Sequence, residues 1–563
     1  MTFRDRQKPS LIFVALIGLL SLLFLDIPAA NADAWDLPKP EEVKTGEELV
    51  AVGEGFIAQR SLRRVIFDVN SSGDFGARVC DKEFDSGDCN LSDSSLQFEG
   101  RAIMGPCQSV SESNCIESFA LSTKSGSPVP GIFIRSVDTQ LYDAVPSKGL
   151  PAFKSTPLFS VAGFAHEGGA NTYAPVVRTN YKWNRATNKF YAASFEAHVV
   201  PYTEKIGSVY RAHTHSNVDK DGKKKDVELG SGENCVWEEK GRCGTAQLFS
   251  PNVKVHLSIR VSNEIVGWFR GRLTAPEIKV ESIDATTNRL SFIGEPVTVS
   301  RFGAIATKEN TTADEQKIIA GTGGNPGASL FSGRGRRYVF SHWGDFKWLE
   351  MFRDIAKDTS LGESQVWNVS TIDKSSQNPC LADRSGLLGI VTTNATVYDG
   401  KVPEFVNGEL IYKVAGMHYA PDGKTLVQGT YDLVMRSETA RCLYDFSSAP
   451  ISASISVVSS EGIAQVATTV SGERDGWLYL SAKNFNFSSP TIKVRLAQEK
   501  VAAVSPTPSP SPTPSTNASA STSKPASVAS DIAKKKTITC VKGSTSKRVV
   551  AVNPKCPKGY KKV

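Results

Sequence analysis

Residues 253–261 read VKVHLSIRV, and this alternation of apolar and polar side chains decides the fold class. A strand turns successive side chains to opposite faces, so one face would be entirely aliphatic: Val253, Val255, Leu257, Ile259 and Val261. The opposite face would hold polar residues, including His256, which we expect to point to solvent. The pattern predicts an antiparallel strand with one buried face.

Short apolar runs between Ser, Gly and Asp clusters repeat this signal along most of the chain. Further strands are predicted at residues 65–67, 132–134, 190–200, 265–273 and 290–299. Helical spacing is confined to residues 312–320 and 343–357, the latter with Ser341 as a candidate N-cap. We therefore predict a mainly β, multidomain protein of antiparallel sandwiches with one minor helical segment.

Residues 376–498 have the size and strand spacing of an immunoglobulin-like β-sandwich. Its strand candidates are residues 410–414, 425–435, 441–444, 452–458, 464–470, 477–482 and 491–496. Three segments are predicted before it: a disulfide-stapled β region (33–155), a β domain (156–305) and a mixed segment with one or two helices (306–375).

The N-terminus has the pattern of a secretory signal peptide. Arg4, Arg6 and Lys8 precede an apolar run at residues 11–25, and Ala30-Asn31-Ala32 is a small-x-small cleavage site. The run falls short of the roughly 20 residues that span a bilayer. We expect residues 1–32 to be removed on export; the alternative is a retained membrane anchor.

A Pro/Ser/Thr-rich linker at residues 499–531 contains too few apolar residues to form a core, so we predict that it is disordered. It leads to a basic tail module at residues 532–563, predicted to be a small β-hairpin with strands at 537–541 and 548–552 that is closed by a disulfide.

The charge distribution sets this tail apart from the rest of the chain. Residues 532–563 contain ten lysines and arginines and no acid, whereas residues 33–531 carry a net charge of −4. The cations are Lys534, Lys535, Lys536, Lys542, Lys547, Arg548, Lys555, Lys558, Lys561 and Lys562. The expected partner is an anionic cell-wall polymer or a membrane surface, with contacts that weaken as salt rises. A nucleic-acid partner is not expected, because its binding would spread a basic patch over a folded face.

The ten cysteines, an even number beside an export signal, indicate disulfides formed outside the cytoplasm. The expected pairs are Cys80–Cys89, Cys107–Cys115, Cys235–Cys243, Cys380–Cys442 and Cys540–Cys556. The first two pairs could be crossed, since four cysteines allow three arrangements. Zinc–thiolate sites are not favoured, because no C-x2-C spacing occurs.

Residues 217–228, NVDKDGKKKDVE, fit the spacing of a calcium-binding loop. Asn217, Asp219, Asp221 and Glu228 would supply oxygen ligands, and Gly222 would permit the sharp bend. The segment resembles an EF-hand loop but has Asn at its first position, Lys224 where an apolar residue is usual, and strand-like flanks. The alternative is a polar hairpin tip. Calcium is the cofactor that this segment suggests.

A second metal hypothesis concerns His213 and His215, which would share one face of a strand and could supply two ligands to zinc or copper. His166 and His198 are candidates for a third ligand. The motifs H-E-x-x-H and G-x-S-x-G are absent, so no catalytic residue is predicted.

The tail sequence TITCVKGSTSKRVVAVNPKCPKGYKK resembles a short Lys-rich, two-cysteine module at the C-termini of secreted actinobacterial proteins. The resemblance rests on C-V-K-G and N-P-K-C-P-K-G-Y, covers about 30 residues, and implies placement at the cell envelope without implying any activity. The sequence thus predicts a secreted cell-surface protein of structural, adhesive or ligand-binding type. A secreted hydrolase, metal-assisted or not, is the alternative.

Overall fold

A computed structural model describes most of the body of the chain and parts of its tail. The described residues are 44–53, 66–70, 78–79, 90–94, 96–137, 141–206, 214–218, 224–228, 237–239, 242–321, 331, 336–341, 344, 346–372, 376–447, 450–459, 464–465, 467–487, 490–498, 536–542, 545–551, 556 and 560–562. The chain divides into two compact units, residues 1–501 and 502–563.

The described elements are mostly strands. The first eighteen strands are β1 Glu48–Gly53, β2 Ile66–Asn70, β3 Arg78–Val79, β4 Leu96–Ile103, β5 Cys115–Thr123, β6 Val129–Pro130, β7 Ile132–Ser136, β8 Pro157–Ser160, β9 Thr172–Asn184, β10 Lys189–Ile206, β11 Thr214–Val218, β12 Lys224–Glu228, β13 Trp237–Glu239, β14 Arg242–Ala246, β15 Val253–Ser262, β16 Gly267–Arg272, β17 Thr274–Ser282 and β18 Thr287–Glu295. The next eighteen are β19 Val297–Arg301, β20 Gly303–Ala306, β21 Arg336–Ser341, β22 Gly362–Val366, β23 Asn368–Thr371, β24 Leu387–Thr393, β25 Val397–Tyr398, β26 Glu404–Val406, β27 Glu409–Ala415, β28 Gly429–Arg436, β29 Ile451–Val458, β30 Ala464–Gln465, β31 Thr468–Arg474, β32 Trp477–Phe485, β33 Thr491–Gln498, β34 Lys536–Lys542, β35 Thr545–Ala551 and β36 Lys561–Lys562. The helices are α1 Ala313–Gly321, α2 Phe346–Phe352, α3 Pro379–Ala382 and α4 Ser437–Tyr444.

A fifteen-stranded sheet forms the centre of the body. Its main path runs β3-β2-β4-β9-β10-β23-β16-β24-β28-β32-β31, and β13, β14, β7 and β8 branch from it. Its pairs are antiparallel except β16–β24. The sheet takes strands from all four segments predicted between residues 33 and 498, so the expected boundaries at 155, 305 and 375 do not separate one sheet from another.

The stretch VKVHLSIRV lies in β15, at the middle of a five-stranded sheet with the order β17-β18-β15-β5-β6. All five of its predicted aliphatic residues are buried, as expected. They join one core with apolar residues of the fifteen-stranded sheet, where Phe195 stacks on Phe292 with ring centroids 5.9 Å apart. His256 differs from the prediction: it is half-buried, and its Nε2 lies 2.9 Å from Ser122 Oγ.

A second sandwich lies at the C-terminal end of the body. A six-stranded sheet containing β25, β27, β33, β29 and β30, with β26 beside β27, shares a core with residues of β24, β28 and β32. The predicted strand at residues 441–444 is wrong, because these residues belong to α4. A four-residue segment is too short to distinguish strand from helix by its period.

The helices match the sequence pattern in part. α1 confirms the helix predicted at residues 312–320 and begins in a capping box: Thr312 N–H donates to Glu315 Oε2 at 2.6 Å, and Glu315 N–H donates to Thr312 Oγ1 at 3.3 Å. α2 covers only the middle of residues 343–357, and Ser341 ends β21 instead of capping the helix. Turns follow α2 after Phe352, and Lys357 and Asp358 in this segment both have backbone angles in the left-handed region.

In the tail unit, β34 pairs with β35 as the predicted hairpin, and β36 adds a short third strand beside β34. The turn between the hairpin strands and the linker at residues 499–531 lie outside the described residues. None of the helices in the described ranges is long and apolar enough to cross a membrane.

Candidate functional site

The predicted calcium loop falls on the β11–β12 hairpin. The antiparallel register pairs Asn217 with Lys225 and Glu228 with Thr214. Asn217 and Glu228 are therefore three ladder steps apart, about 10 Å along the strands, instead of meeting at one point as the ends of an EF-hand loop do. This register favours the hairpin alternative; Asp219 and Asp221 lie outside the described residues, so calcium binding stays a prediction.

The structure describes only part of the predicted histidine cluster. His213 lies outside the described residues, and His215 is placed in β11 opposite Val227. His166 is buried, and its ring accepts a hydrogen bond from Gly168 N–H at Nδ1 while Nε2 donates to the Tyr202 carbonyl at 3.0 Å. Burial lowers the pKa of His166. Across the described ranges no three His, Cys, Asp or Glu side chains are grouped as metal ligands.

Two predicted disulfides are confirmed, Cys107–Cys115 and Cys380–Cys442. Because Cys107 is bonded to Cys115, neither of them pairs with Cys80 or Cys89, and the crossed arrangements are excluded. Cys556 is also disulfide-bonded. The remaining cysteine side chains lie outside what the structure describes: Cys80, Cys89, Cys235, Cys243 and Cys540.

Among the predicted surface-binding cations, Lys561 and Lys562 are exposed on β36. Four others are placed in the hairpin strands: Lys536, Lys542, Lys547 and Arg548. The last four lie outside the described residues: Lys534, Lys535, Lys555 and Lys558.

A site that the sequence did not predict is the pair formed by Asp358 and His418. His418 Nδ1 donates to Asp358 Oδ2, and the main-chain N–H of His418 donates to Asp358 Oδ1 at 3.0 Å. Among the described residues, His418 Nε2 has no hydrogen-bond partner, and about a quarter of the side chain is exposed. The carboxylate therefore fixes the ring and its tautomer while leaving an imidazole nitrogen available.

Arg353 completes this cluster. Its Nε lies 3.6 Å from Asp358 Oδ1, and its Nη2 donates to the Gly416 carbonyl at 3.1 Å. Burial by itself would raise the pKa of Asp358, but the hydrogen bonds from His418 and the charges of His418 and Arg353 outweigh it, so the pKa is lowered. Asp358 also has φ +52°, a strained value for a residue with a side chain.

Two more carboxylates follow the members of this pair in the chain, Glu363 five residues after Asp358 and Asp422 four residues after His418. Glu363, in β22, is half-buried, and burial followed by the charge of Asp422 raises its pKa. Asp422 is exposed in the turn at residues 420–425, and hydrogen bonds from Thr425 and Lys424 lower its pKa to about 2. Glu363 is therefore a carboxyl group that holds its proton more strongly than usual.

A second charged network braces the disulfide-closed loop at residues 107–115. Arg260 is buried, and its Nη1 donates to the carbonyls of Ser109, Val110 and Glu112 at 3.0, 2.6 and 3.4 Å. Its Nη2 donates to Glu117 Oε1 at 2.6 Å, and Arg289 Nη2 reaches the same oxygen at 2.8 Å. These contacts hold the loop to the five-stranded sheet.

Sequence signals could not have located the Asp358–His418 pair, because its members are 60 residues apart. The feature that distinguishes Asp358 is its left-handed backbone conformation, which the sequence does not reveal. Comparisons with protein-family models, with curated proteins and with solved structures find no match for this chain.

Proposed function

We propose that this chain is a secreted cell-surface protein of structural, adhesive or ligand-binding type, held at the envelope by its basic tail. The observation that supports the proposal most directly is the separation of residues 502–563 as a compact unit that contains all ten predicted surface-binding cations. A compact hairpin that concentrates positive charge is suited to an anionic polymer. The disulfides of the body are compatible with an oxidising compartment.

The favoured ligand of the tail is an anionic cell-wall polymer, and retention on isolated cell walls tests this. The variant replaces Lys547, Arg548, Lys561 and Lys562 with glutamine. The matched control neutralises four exposed lysines of the body: Lys308, Lys317, Lys347 and Lys424. Both variants lose the same charge, so only the tail variant should be released at a lower salt concentration.

Three outcomes distinguish the alternatives. Equal release of the two variants contradicts attachment by the tail. Binding to anionic phospholipid vesicles but not to cell walls indicates that the tail binds a membrane surface instead of a cell-wall polymer. Retention that does not depend on salt contradicts an electrostatic contact altogether.

The Asp358–His418 pair favours a secreted hydrolase as the second candidate. In this alternative, His418 Nε2 takes a proton from water as the water oxygen bonds to an ester carbonyl carbon. The imidazolium, stabilised by Asp358, then returns the proton to the leaving oxygen as the C–O bond breaks.

Hydrolysis of a simple nitrophenyl ester tests this second candidate. His418→Gln should lower the rate at least tenfold, whereas His256→Gln, which changes the half-buried partner of Ser122, should not. No hydrolysis above the rate in buffer, or equal rates for the two variants, contradicts the hydrolase.

A further inference from the structure

The strand β7 lies at an edge of the fifteen-stranded sheet and exposes apolar residues there. Among the described strands it pairs only with β8. Ile132, Phe133 and Ile134 are 70%, 47% and 50% exposed. In the described part of the chain, no other three consecutive large apolar residues are exposed. An apolar edge with unpaired main-chain groups favours pairing with another strand.

The strand β31, which ends the main path of the same sheet, is a protected edge. It reads TTVSGER, with one exposed apolar side chain, Val470, among polar residues and a glycine. Glycine and charged residues are the usual means of preventing edge-to-edge pairing. These two edges therefore differ in composition, and of the two β7 has the composition of a pairing surface.

We propose that β7 pairs with β7 of a second copy of this chain, antiparallel and centred on Phe133. The sequence is symmetric about that residue, so a two-fold axis there sets Phe133 opposite Phe133 and Ile132 opposite Ile134. Arg135 would then lie opposite Gly131, and no like charges would meet. Arg135 is already neutralised by Glu204, whose Oε1 lies 2.5 Å from its Nη2.

The local backbone limits how far this pairing extends. The register between β7 and β8 shifts at Ile134, which marks a β-bulge, and bulges increase the local twist. The chain leaves the strand after Ser136. The paired stretch is therefore about five residues long, and we expect a weak dimer that forms at micromolar or higher concentration. Phe133 is held in place for this contact by an edge-on packing against Phe159, with centroids 5.9 Å apart.

Sedimentation velocity of the full chain over a concentration series tests the dimer. The wild type should move from monomer to dimer, and Ile132→Lys with Ile134→Lys should weaken association at least tenfold. Val470→Lys, the matched change on the protected edge, should leave association unchanged. All these side chains are largely exposed, so the variants should keep the wild-type circular dichroism spectrum.

A cysteine variant tests the register. Residues directly opposite in an antiparallel pair have Cα atoms about 4.5–5.5 Å apart, within the range of a disulfide. Phe133→Cys should therefore form a covalent dimer under mild oxidation, and Val470→Cys should not. A chain that stays monomeric at all concentrations, a dimer that both lysine variants leave intact, or equal cross-linking of the two cysteine variants would overturn the proposal. So would capture of a different protein at β7 by a chain that remains monomeric.

Discussion

Replacing Arg260 with methionine should destabilise the body by about 2–4 kcal/mol at neutral pH, because Glu117 loses one of its two arginines and the loop carbonyls of Ser109 and Val110 lose their donor. Arg260 and Arg289 are direct cross-strand partners on β15 and β18, a like-charge pairing that is unfavourable by itself. Glu117 offsets this repulsion by accepting hydrogen bonds from both guanidinium groups. Hydrogen bonds from Arg289 and, to a smaller extent, from Arg260 lower the pKa of Glu117 to about 2 from 4.5, against the opposing effect of burial. The whole shift corresponds to about 3 kcal/mol, of which Arg260 contributes a part.

The stability that Glu117 contributes should depend on pH. Because the pKa of Glu117 is lower in the folded than in the unfolded chain, its stabilisation is complete above about pH 5 and is lost as the pH falls toward 2. Without Arg260, the carboxylate keeps only Arg289, so the pKa of Glu117 should rise and acid unfolding should begin at a higher pH. Methionine retains much of the arginine stem, which limits the loss of packing.

Urea unfolding at pH 7 and pH 3 measures both effects. The free energy of unfolding should fall by about 2–4 kcal/mol at pH 7 and by less at pH 3, where Glu117 is protonated to a greater extent in the variant than in the wild type. Glu117→Gln and the double variant complete a cycle, with a coupling of about 1.5–3 kcal/mol expected. A loss below about 0.5 kcal/mol, or a loss that does not change with pH, would refute the reasoning.

Three further outcomes follow from the described contacts. Removing the Cys380–Cys442 disulfide, which closes 62 residues, should cost about 4 kcal/mol in urea unfolding, against about 2.5 kcal/mol for the eight-residue separation of Cys107–Cys115. Asp432 is buried, and its pKa is raised mainly by burial, so ionisation of Asp432 lowers the stability as the pH rises through that pKa. Asp432→Asn should therefore raise the melting temperature at pH 7. Asp432→Ala should lower it, because Thr274 then loses its hydrogen-bond acceptor. Asp358→Asn should weaken the body near neutral pH, and the effect should disappear as the pH falls through the lowered pKa of Asp358, because such a carboxyl contributes its stability only while ionised.

The features predicted correctly from the sequence depend on neighbours in the chain. The alternation in β15 fixes which side chains are buried, whatever strands lie beside it, and the capping box of α1 involves only Thr312 and Glu315. The tail hairpin also connects strands that are close in sequence. By contrast, residues 441–444 have too short a pattern to distinguish a helix from a strand, and the predicted boundaries of the body did not anticipate a single sheet running through four segments.

The charged sites escaped prediction because they depend on register between strands far apart in the chain. Glu117 lies where the register between β5 and β15 shifts, with Ser258 opposite Ser118 and Ile259 opposite Ile116. That bulge turns the carboxylate toward Arg260, which lies 143 residues away. Since a one-residue slip moves every side chain to the other face, a regular ladder would have left the buried Arg260 opposite the half-buried Arg289 without an acid between them. The bulge at Glu117 therefore makes the alternating pattern of VKVHLSIRV compatible with an arginine at its eighth position.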